Sequence, residues 1–370
     1  MTKARELADL IANVNNGSSL ANKNFVINGA MNVSQRSVSE TGVTSSGYKT
    51  VDRFRPSIGT AGTWTITQST DVPTGYGFAN SLKFDCTTAN SSLSAGSDMA
   101  LQYRFEGQDV QNLRKGTSSA VPVTLSFWVK STKTGTFICE LKDDDNSRQI
   151  SQAYTISSSG AWEKKELTFA GDTTGALDDD NAKSLTILWW QVAGTNFTSG
   201  TLNTSWAGSV SATNRAVGQV NIADSTSNDW LITGVQLEIG KATEFEHEPF
   251  ETTLRKCQRY FYRTPDGGSS GTSAAYQHLG NGYMHSSTLC ISHFVFPEVM
   301  RSAPTCTFSG EVQILDFSGA RDPGSNITFE SPTSRSVQPQ LTISGATQGH
   351  GAVVRFQNDA DGYIQADAEL

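Results

Sequence analysis

The run TLSFWVKS, residues 124–131, decides the fold: Leu125, Phe127 and Val129 alternate with Ser126, Trp128 and Lys130. Successive side chains of a strand point to opposite sides. The spacing therefore puts the first three on a core face and turns Trp128 outward or toward a second layer. Runs of the same kind lie on either side: FVINGAMNV (25–33), GTWTITQST (62–70), NSLKFDCTT (80–88), DMALQYRFEG (98–107), GTFICELKD (135–143), WEKKELTFAG (162–171), SLTILWWQVAG (184–194) and NDWLITGVQLEIG (228–240). Gly, Ser, Asp and Asn bound them, residues that turn a chain. With most runs not separated by a helical crossover, the pattern describes antiparallel sheets in a sandwich or jelly roll rather than a parallel βαβ sheet.

The composition agrees. Of 370 residues 36% are hydrophobic and only 17% charged, with 33 Gly. Glycine is a poor helix former, while seven Trp, nine Tyr and 18 Phe supply anchors for a core that a disordered chain lacks. A net charge of −8 gives no global positive field for a phosphate backbone, so no nucleic-acid partner is expected. No apolar stretch of about 18 residues occurs, which predicts a soluble chain without membrane insertion, and Glu6 and Asp9 interrupt any secretion-signal core. Cys86, Cys139, Cys257, Cys290 and Cys306 are scattered without CxxC spacing and predict buried thiols formed in a reducing cytosol.

Residues 2–16 carry the one clear helical pattern: Thr2 can cap it, and Leu7, Leu10, Ile11 and Val14 share a stripe. So short a helix is marginal alone and needs partners, for which a bundle of identical helices or the chain's own domain would serve. EGQDVQNLRK (106–115) predicts about two helical turns, and TTLRKCQRYF (252–261) a short helix at a domain junction. Beyond the Gly/Ser-rich loop 265–275, the runs 288–296, 305–315, 326–331, 338–345, 351–359 and 362–370 predict a second β domain. The expected organisation is mostly β: an N-terminal helical segment (1–22), an antiparallel jelly-roll sandwich (23–255) and a smaller C-terminal β-sandwich domain (256–370).

Four blocks carry a resemblance: NFVINGAMNVSQRS (24–37), YKTVDRFRP (48–56), residues 101–132, and above all WLITGVQLEIGKATEFEHEPFETTLRKCQRYFYR (230–263). They resemble a domain of tail-fibre and other virion surface proteins of tailed bacteriophages; FPEVMRSAPT (296–305) looks like a strand that often follows it. The resemblance implies a jelly roll similar to carbohydrate-binding modules, an N-terminal segment attached to tail adaptor, nozzle or hub proteins, and a homotrimeric fibre. It further implies a virion component assembled in the host cytoplasm that attaches to host surface polysaccharide or lipopolysaccharide, with the C-terminal domain as receptor-binding tip. The alternatives are a capsid-decorating fibre or tail adaptor without direct receptor binding, and a polysaccharide-degrading tailspike.

Catalysis finds little support in the residues, and no enzyme, cofactor or metal is expected. DDDN occurs at 143–146 and 178–181, where Asp and Asn suit turns; a calcium site would need oxygens converging from several loops. His247 lies between Glu246 and Glu248 but projects opposite to both in an extended chain, which suits a hinge whose acids Arg255 or Arg259 would neutralise. His278, His285, His293 and His350 show no close pair for a metal. No GxSxG, Walker or HExxH motif occurs. Aromatic rings that can stack on sugars are the better signal. Trp206, expected to face solvent, together with Tyr276, His278, Tyr283 and Tyr363 are the candidate carbohydrate-binding residues, and Leu7, Leu10, Ile11 and Val14 the candidate trimer and attachment stripe. Of Trp189 and Trp190, adjacent in a strand, only one can be exposed.

Overall fold

The computed structural model describes residues 23–208, 212–264, 278–324, 327–356 and 362–370, with Lys3 and Arg5. The stripe Leu7, Leu10, Ile11 and Val14 lies outside the described residues. The chain divides into two units, one reaching Leu254 and one running from Arg255 to Glu369.

The first unit is built from β1 (Ser39–Val43), β2 (Phe54–Gly59), β3 (Thr63–Ser69), β4 (Ser81–Thr88), β5 (Asp98–Glu106), β6 (Val123–Ser131), β7 (Gly135–Asp143), β8 (Arg148–Ile156), β9 (Glu163–Phe169), β10 (Lys183–Ala193), β11 (Ala207–Gly208) and β12 (Asp229–Ile239). They form two antiparallel sheets in the orders β1-β3-β4-β12-β6-β9 and β11-β8-β7-β10-β5-β2. Sequence neighbours such as β4 and β5 fall in different sheets, so the chain crosses repeatedly between layers and the fold is a mostly-β sandwich, as the alternation indicates.

Alternation supplies the core directly. Leu125, Phe127 and Val129 of β6 meet Leu185, Ile187 and Trp189 of β10 and Leu101, Tyr103 and Phe105 of β5 in one cluster, while Trp128 stands on the outer face. Trp64, Trp189 and Trp230 are fully buried. Each such ring removes roughly 150–250 Å² from water, about 4–6 kcal/mol of gross transfer energy before chain entropy is counted. All five cysteines are free thiols, four of them buried.

Several features depart from the expected pattern, among them the strands β1 and β8, which no expected run covers. FVINGAMNV is not a strand: Asn28 and Met31 adopt φ of 62° and 59°, and the Asn28 amide bonds Val33 and the Asp52 carbonyl in place of a ladder. The side chain thus offers the backbone an alternative to sheet pairing. Residues 106–115 make two 3-10 turns, Gly107–Asp109 and Gln111–Leu113, rather than an α-helix. The strand β2 was hidden by Pro56, which is tolerated because β2 lies at a sheet edge.

The second unit contains β13 (Phe261–Arg263), β14 (His278–Ser286), β15 (Leu289–Ser292), β16 (Phe294–Val295), β17 (Thr305–Ser309), β18 (Val312–Asp316), β19 (Gly319–Gly324), β20 (Ile327–Glu330), β21 (Ser336–Thr342), β22 (Gly351–Phe356) and β23 (Tyr363–Asp367). A small sheet β13-β23-β17 and a large one β16-β21-β15-β14-β22-β18-β19 share a core of Met284, Cys290, Ile314, Leu341, Phe356 and Ile364. A helix, Phe250–Gln258, spans the division between the units.

Candidate functional site

The outer face of the β11-β8-β7-β10-β5-β2 sheet is built from the residues that alternate with the core set. β5 contributes Asp98, Ala100, Gln102 and Arg104; β10 contributes Thr186, Leu188 and Trp190; β7 contributes Glu140 and Lys142. After β10 the chain makes a helical turn, Thr195–Thr198, and folds back over this face, where Phe197 and Leu202 pack on Ala100, Ile138, Leu188 and Trp190. Trp190 is therefore on the outer side, opposite to Trp189 as strand geometry requires, yet buried beneath this loop. Glu140, wholly buried, holds the arrangement: it accepts from Trp190 Nε1 at 2.8 Å and from Arg215 Nε at 3.0 Å, and the Arg215 guanidinium lies 5.1 Å from the Trp190 ring centre.

The covering loop leaves a cleft of about 240 Å³ over the rest of the face. Its floor is Ala100 and Leu188; Phe197 and Arg215 form one wall; Gln102, Arg104, Lys142, Asp144, Lys183 and Thr186 line the remainder. Four cationic side chains (Arg104, Lys142, Lys183, Arg215) stand against two carboxylates, Asp98 and Asp144, so the cleft is locally positive on a chain whose net charge is −8.

The polar groups are held by one another. Arg55 and Arg104 both donate to Gln102 Oε1, at 3.2 and 2.9 Å, which converges two guanidiniums on one amide oxygen. Burial and then the neighbouring Arg104 charge lower the Arg55 pKa; an anionic ligand oxygen near the two guanidiniums would offset their repulsion. Asp144 receives Lys142 at 2.6 Å, Lys183 at 2.8 Å and the Thr186 hydroxyl at 2.6 Å. Burial would raise its pKa, but these donors outweigh burial and hold it below the usual carboxylate value. Asp98 goes the other way, raised by burial against the opposing charge of Arg215.

The residues singled out from sequence are dispersed. Trp206 is half-buried rather than solvent-facing: it packs against the core, donates from Nε1 to the Ala170 carbonyl at 2.6 Å and lies 5.1 Å from the Lys115 ammonium. Tyr276 lies outside the described residues. His278 and Tyr283 share β14, where a register shift between His278 and Gly280 leaves both exposed, and Tyr283 stands 6.2 Å from His285. Tyr363 has one ring face covered by the Arg263 guanidinium, 3.8 Å from its centre.

The two DDDN runs meet across the sandwich edge, with Asp178 N donating to Asp145 at 3.0 Å. Asp143 and Asp172 hold the Lys115 ammonium, and among the described residues no group of three or more His, Cys, Asp or Glu is arranged for a metal. Glu246 accepts from the backbone amides of Lys23 and Asn24, while Arg255 lies 3.6 Å from Glu298. The cleft residues left one trace in the sequence. Large or polar side chains occupy both alternation sets of β5 and β10, where a one-sided strand would show short polar residues on its wet face.

No family model and no curated protein matches the chain. Among solved structures it is similar to the enzymatically active domain of tailspike protein 4 of bacteriophage CBA120, at 13% identity and a TM-score of 0.29 over 59% of this chain and 22% of that one. A putative sugar binding protein from Bacteroides thetaiotaomicron is 12% identical with a TM-score of 0.32, covering 59% of this chain and all of that one. TmCBM61 in complex with β-1,4-galactotriose is 11% identical with a TM-score of 0.30, over 59% and 99% of the two chains. At scores of this size none of the three decides what this chain binds.

Proposed function

We propose that this protein is a glycan-binding attachment protein and that the cleft between β5, β7 and β10 holds an acidic polysaccharide of the cell envelope. The observation that carries the reading is the positively lined cleft in which Gln102 and Arg104 stand, with Arg55 donating to the same Gln102 oxygen from beside it. Sugar hydroxyls and carboxylates are dense in acceptors at fixed spacing, and planar guanidinium and amide groups meet them in pairs. The apolar floor of Ala100 and Leu188 suits the C–H face of a ring.

In this reading the chain is a bacteriophage tail-fibre protein: a homotrimer joined to tail proteins through residues 1–22 and attached to host polysaccharide or lipopolysaccharide. The resemblance at residues 24–37, 48–56, 101–132 and 230–263 supports that placement. Three weak sites on one trimer would gain roughly 10²–10⁴ in avidity. A capsid-decorating fibre would use the same cleft.

A second reading, polysaccharide cleavage, is favoured by one observation: Asp98 and Asp144 line the same cleft with pKa values displaced in opposite directions. Asp144 argues against it, because both its oxygens are engaged by Lys142, Lys183 and Thr186, which leaves Asp98 without the second available carboxylate that glycoside cleavage uses. Binding without cleavage is the expected behaviour.

Titration calorimetry of the full-length chain with capsule or lipopolysaccharide extracts tests the proposal. Gln102→Ala is expected to weaken binding about tenfold or more, since it frees two guanidiniums from their fixed geometry. Equal affinity in the variant, or release of reducing ends on incubation, would contradict it.

A further inference from the structure

Gly234, in β12 on the opposite sheet, has φ of 62°, and a Cβ there would come within 2.6 Å of Phe78 Cζ and 3.1 Å of Trp128 Cδ1. Two aromatic rings thus lie directly on strand backbone, which only glycine permits at this position. Above them a turn flanked by Gly75 and Gly77, both at positive φ, carries Tyr76 over Trp128 with ring centres 4.3 Å apart and planes tilted by 48°. Phe245 and His247 close the other side. Phe245 meets Phe78 edge-on at 5.0 Å and His247 at 4.8 Å, and His247 Nε2 lies 3.1 Å from the Tyr76 carbonyl.

These rings surround space instead of filling it. The groove between them measures about 460 Å³, within the roughly 300–1,000 Å³ of small-molecule sites. Tyr76 remains 51% exposed although its ring packs against Trp128. A ring presented at the mouth of a concave aromatic groove offers a flat face on which a ligand can lie. The sequence segment that forms the far wall, residues 244–247, contributes Glu244, Phe245 and His247, while Ser126 and Lys164 supply polar groups from β6 and β9.

The charge of the groove selects its ligand. Lys164 is the cation at the rim, and its ammonium is already 3.0 Å from Glu166. Glu244 adds a carboxylate, which repels anions and accepts from hydroxyls. The positively lined cleft on the other sheet has the opposite bias.

We propose that this aromatic groove is a second glycan site, taking a neutral hexopyranose whose C–H face lies on the exposed side of Tyr76, beside Trp128, and whose hydroxyls reach Ser126, Glu244 and His247. It rests on the reading of the protein as glycan-binding but uses no residue of the cleft. The two sites lie on outer faces of different sheets of one sandwich, so a single chain engages an acidic and a neutral part of a surface polysaccharide independently.

The test is fluorine NMR of the full-length chain labelled with 5-fluorotryptophan, with Trp128→Phe and Trp190→Phe assigning the two reporter resonances. Neutral gluco-, galacto- and manno-configured oligosaccharides are the probes for the groove, and the acidic extract is the probe for the cleft. At least one neutral oligosaccharide is expected to move the Trp128 resonance saturably. Tyr76→Ala should weaken that effect about tenfold or more, and Gln102→Ala should leave it unchanged. A Trp128 resonance that no neutral sugar moves, while the acidic extract moves Trp190, overturns the groove proposal alone. Silence of both resonances overturns the cleft reading with it. A Trp128 shift abolished by Gln102→Ala assigns the neutral sugar to the cleft and also overturns the proposal.

Discussion

Lys115→Met is expected to destabilise the first unit by about 3–5 kcal/mol, a fall of roughly 6–20 °C in its melting temperature by scanning calorimetry. Lys115 is nearly buried; its ammonium bonds the Asp143 carboxylate, lies 3.1 Å from Asp172, and donates to the carbonyls of Thr174 at 3.1 Å and Gly175 at 2.8 Å. The two carboxylates are as deeply buried, and methionine of similar length would leave them without that cation. Asp172 keeps Arg148 at 2.7 and 3.0 Å, so the loss falls mainly on Asp143 and on the two carbonyls.

The same variant should move acid unfolding to higher pH. Burial would raise the Asp172 pKa, but bonds from Arg148 and Lys115 outweigh it and hold the value below the usual range. A carboxylate depressed in the folded state stabilises fully above its unfolded value of about 3.9 and ceases to do so as pH falls through the lower folded value. Without Lys115 the Arg148 bonds remain but one cation is gone, so the folded value rises toward the unfolded one and protection at low pH is lost earlier. Melting curves of both proteins at descending pH check this; an unchanged acid midpoint would contradict it.

Arg215→Ala is expected to cost about 3 kcal/mol, at the lower end for a broken buried pair because the Arg215 side chain is 18% exposed. That corresponds to roughly 6–12 °C. The larger consequence is functional. Arg215 clamps Glu140 and lies against Trp190, and the loop it belongs to carries Phe197, the facing wall of the cleft. Once released, this loop no longer shapes the site, and affinity for the acidic polysaccharide should fall further than in Gln102→Ala. The double variant Glu140→Gln with Arg215→Ala removes the orphaned charge and should recover part of the stability but none of the binding. Recovery of both would mean that Arg215 acts only through stability.

Trp206 shows how far sequence reading reaches. Its neighbours Asn203, Thr204, Ser205, Gly208 suggest an exposed ring, but the reasons for its placement are 36 and 91 residues away in sequence: the Ala170 carbonyl that it bonds and the Lys115 ammonium that it covers. Alternation within β6 or β10 is local and can be read from eight residues, whereas the cleft is made by strands and a loop distant in sequence. Pairing of β10 with β5 and with β7 brings Leu188 beside Gln102 and Glu140. No local pattern states that pairing. His247 is the intermediate case. Its opposition to the flanking glutamates follows from extended geometry, but its contact with Tyr76 depends on a turn 171 residues earlier. FVINGAMNV failed for a local reason, since a buried Asn with left-handed backbone can replace strand pairing by side-chain bonds.

The most direct test of glycan binding by the sandwich is a crystal structure of the full-length chain with the polysaccharide fragment that calorimetry identifies. The account expects the intact fragment in the cleft, its oxygens bonded to Gln102 and the paired guanidiniums and a sugar ring over Leu188. A fragment seated only along His278 and Tyr283 of β14, or found cleaved beside Asp98, would contradict it.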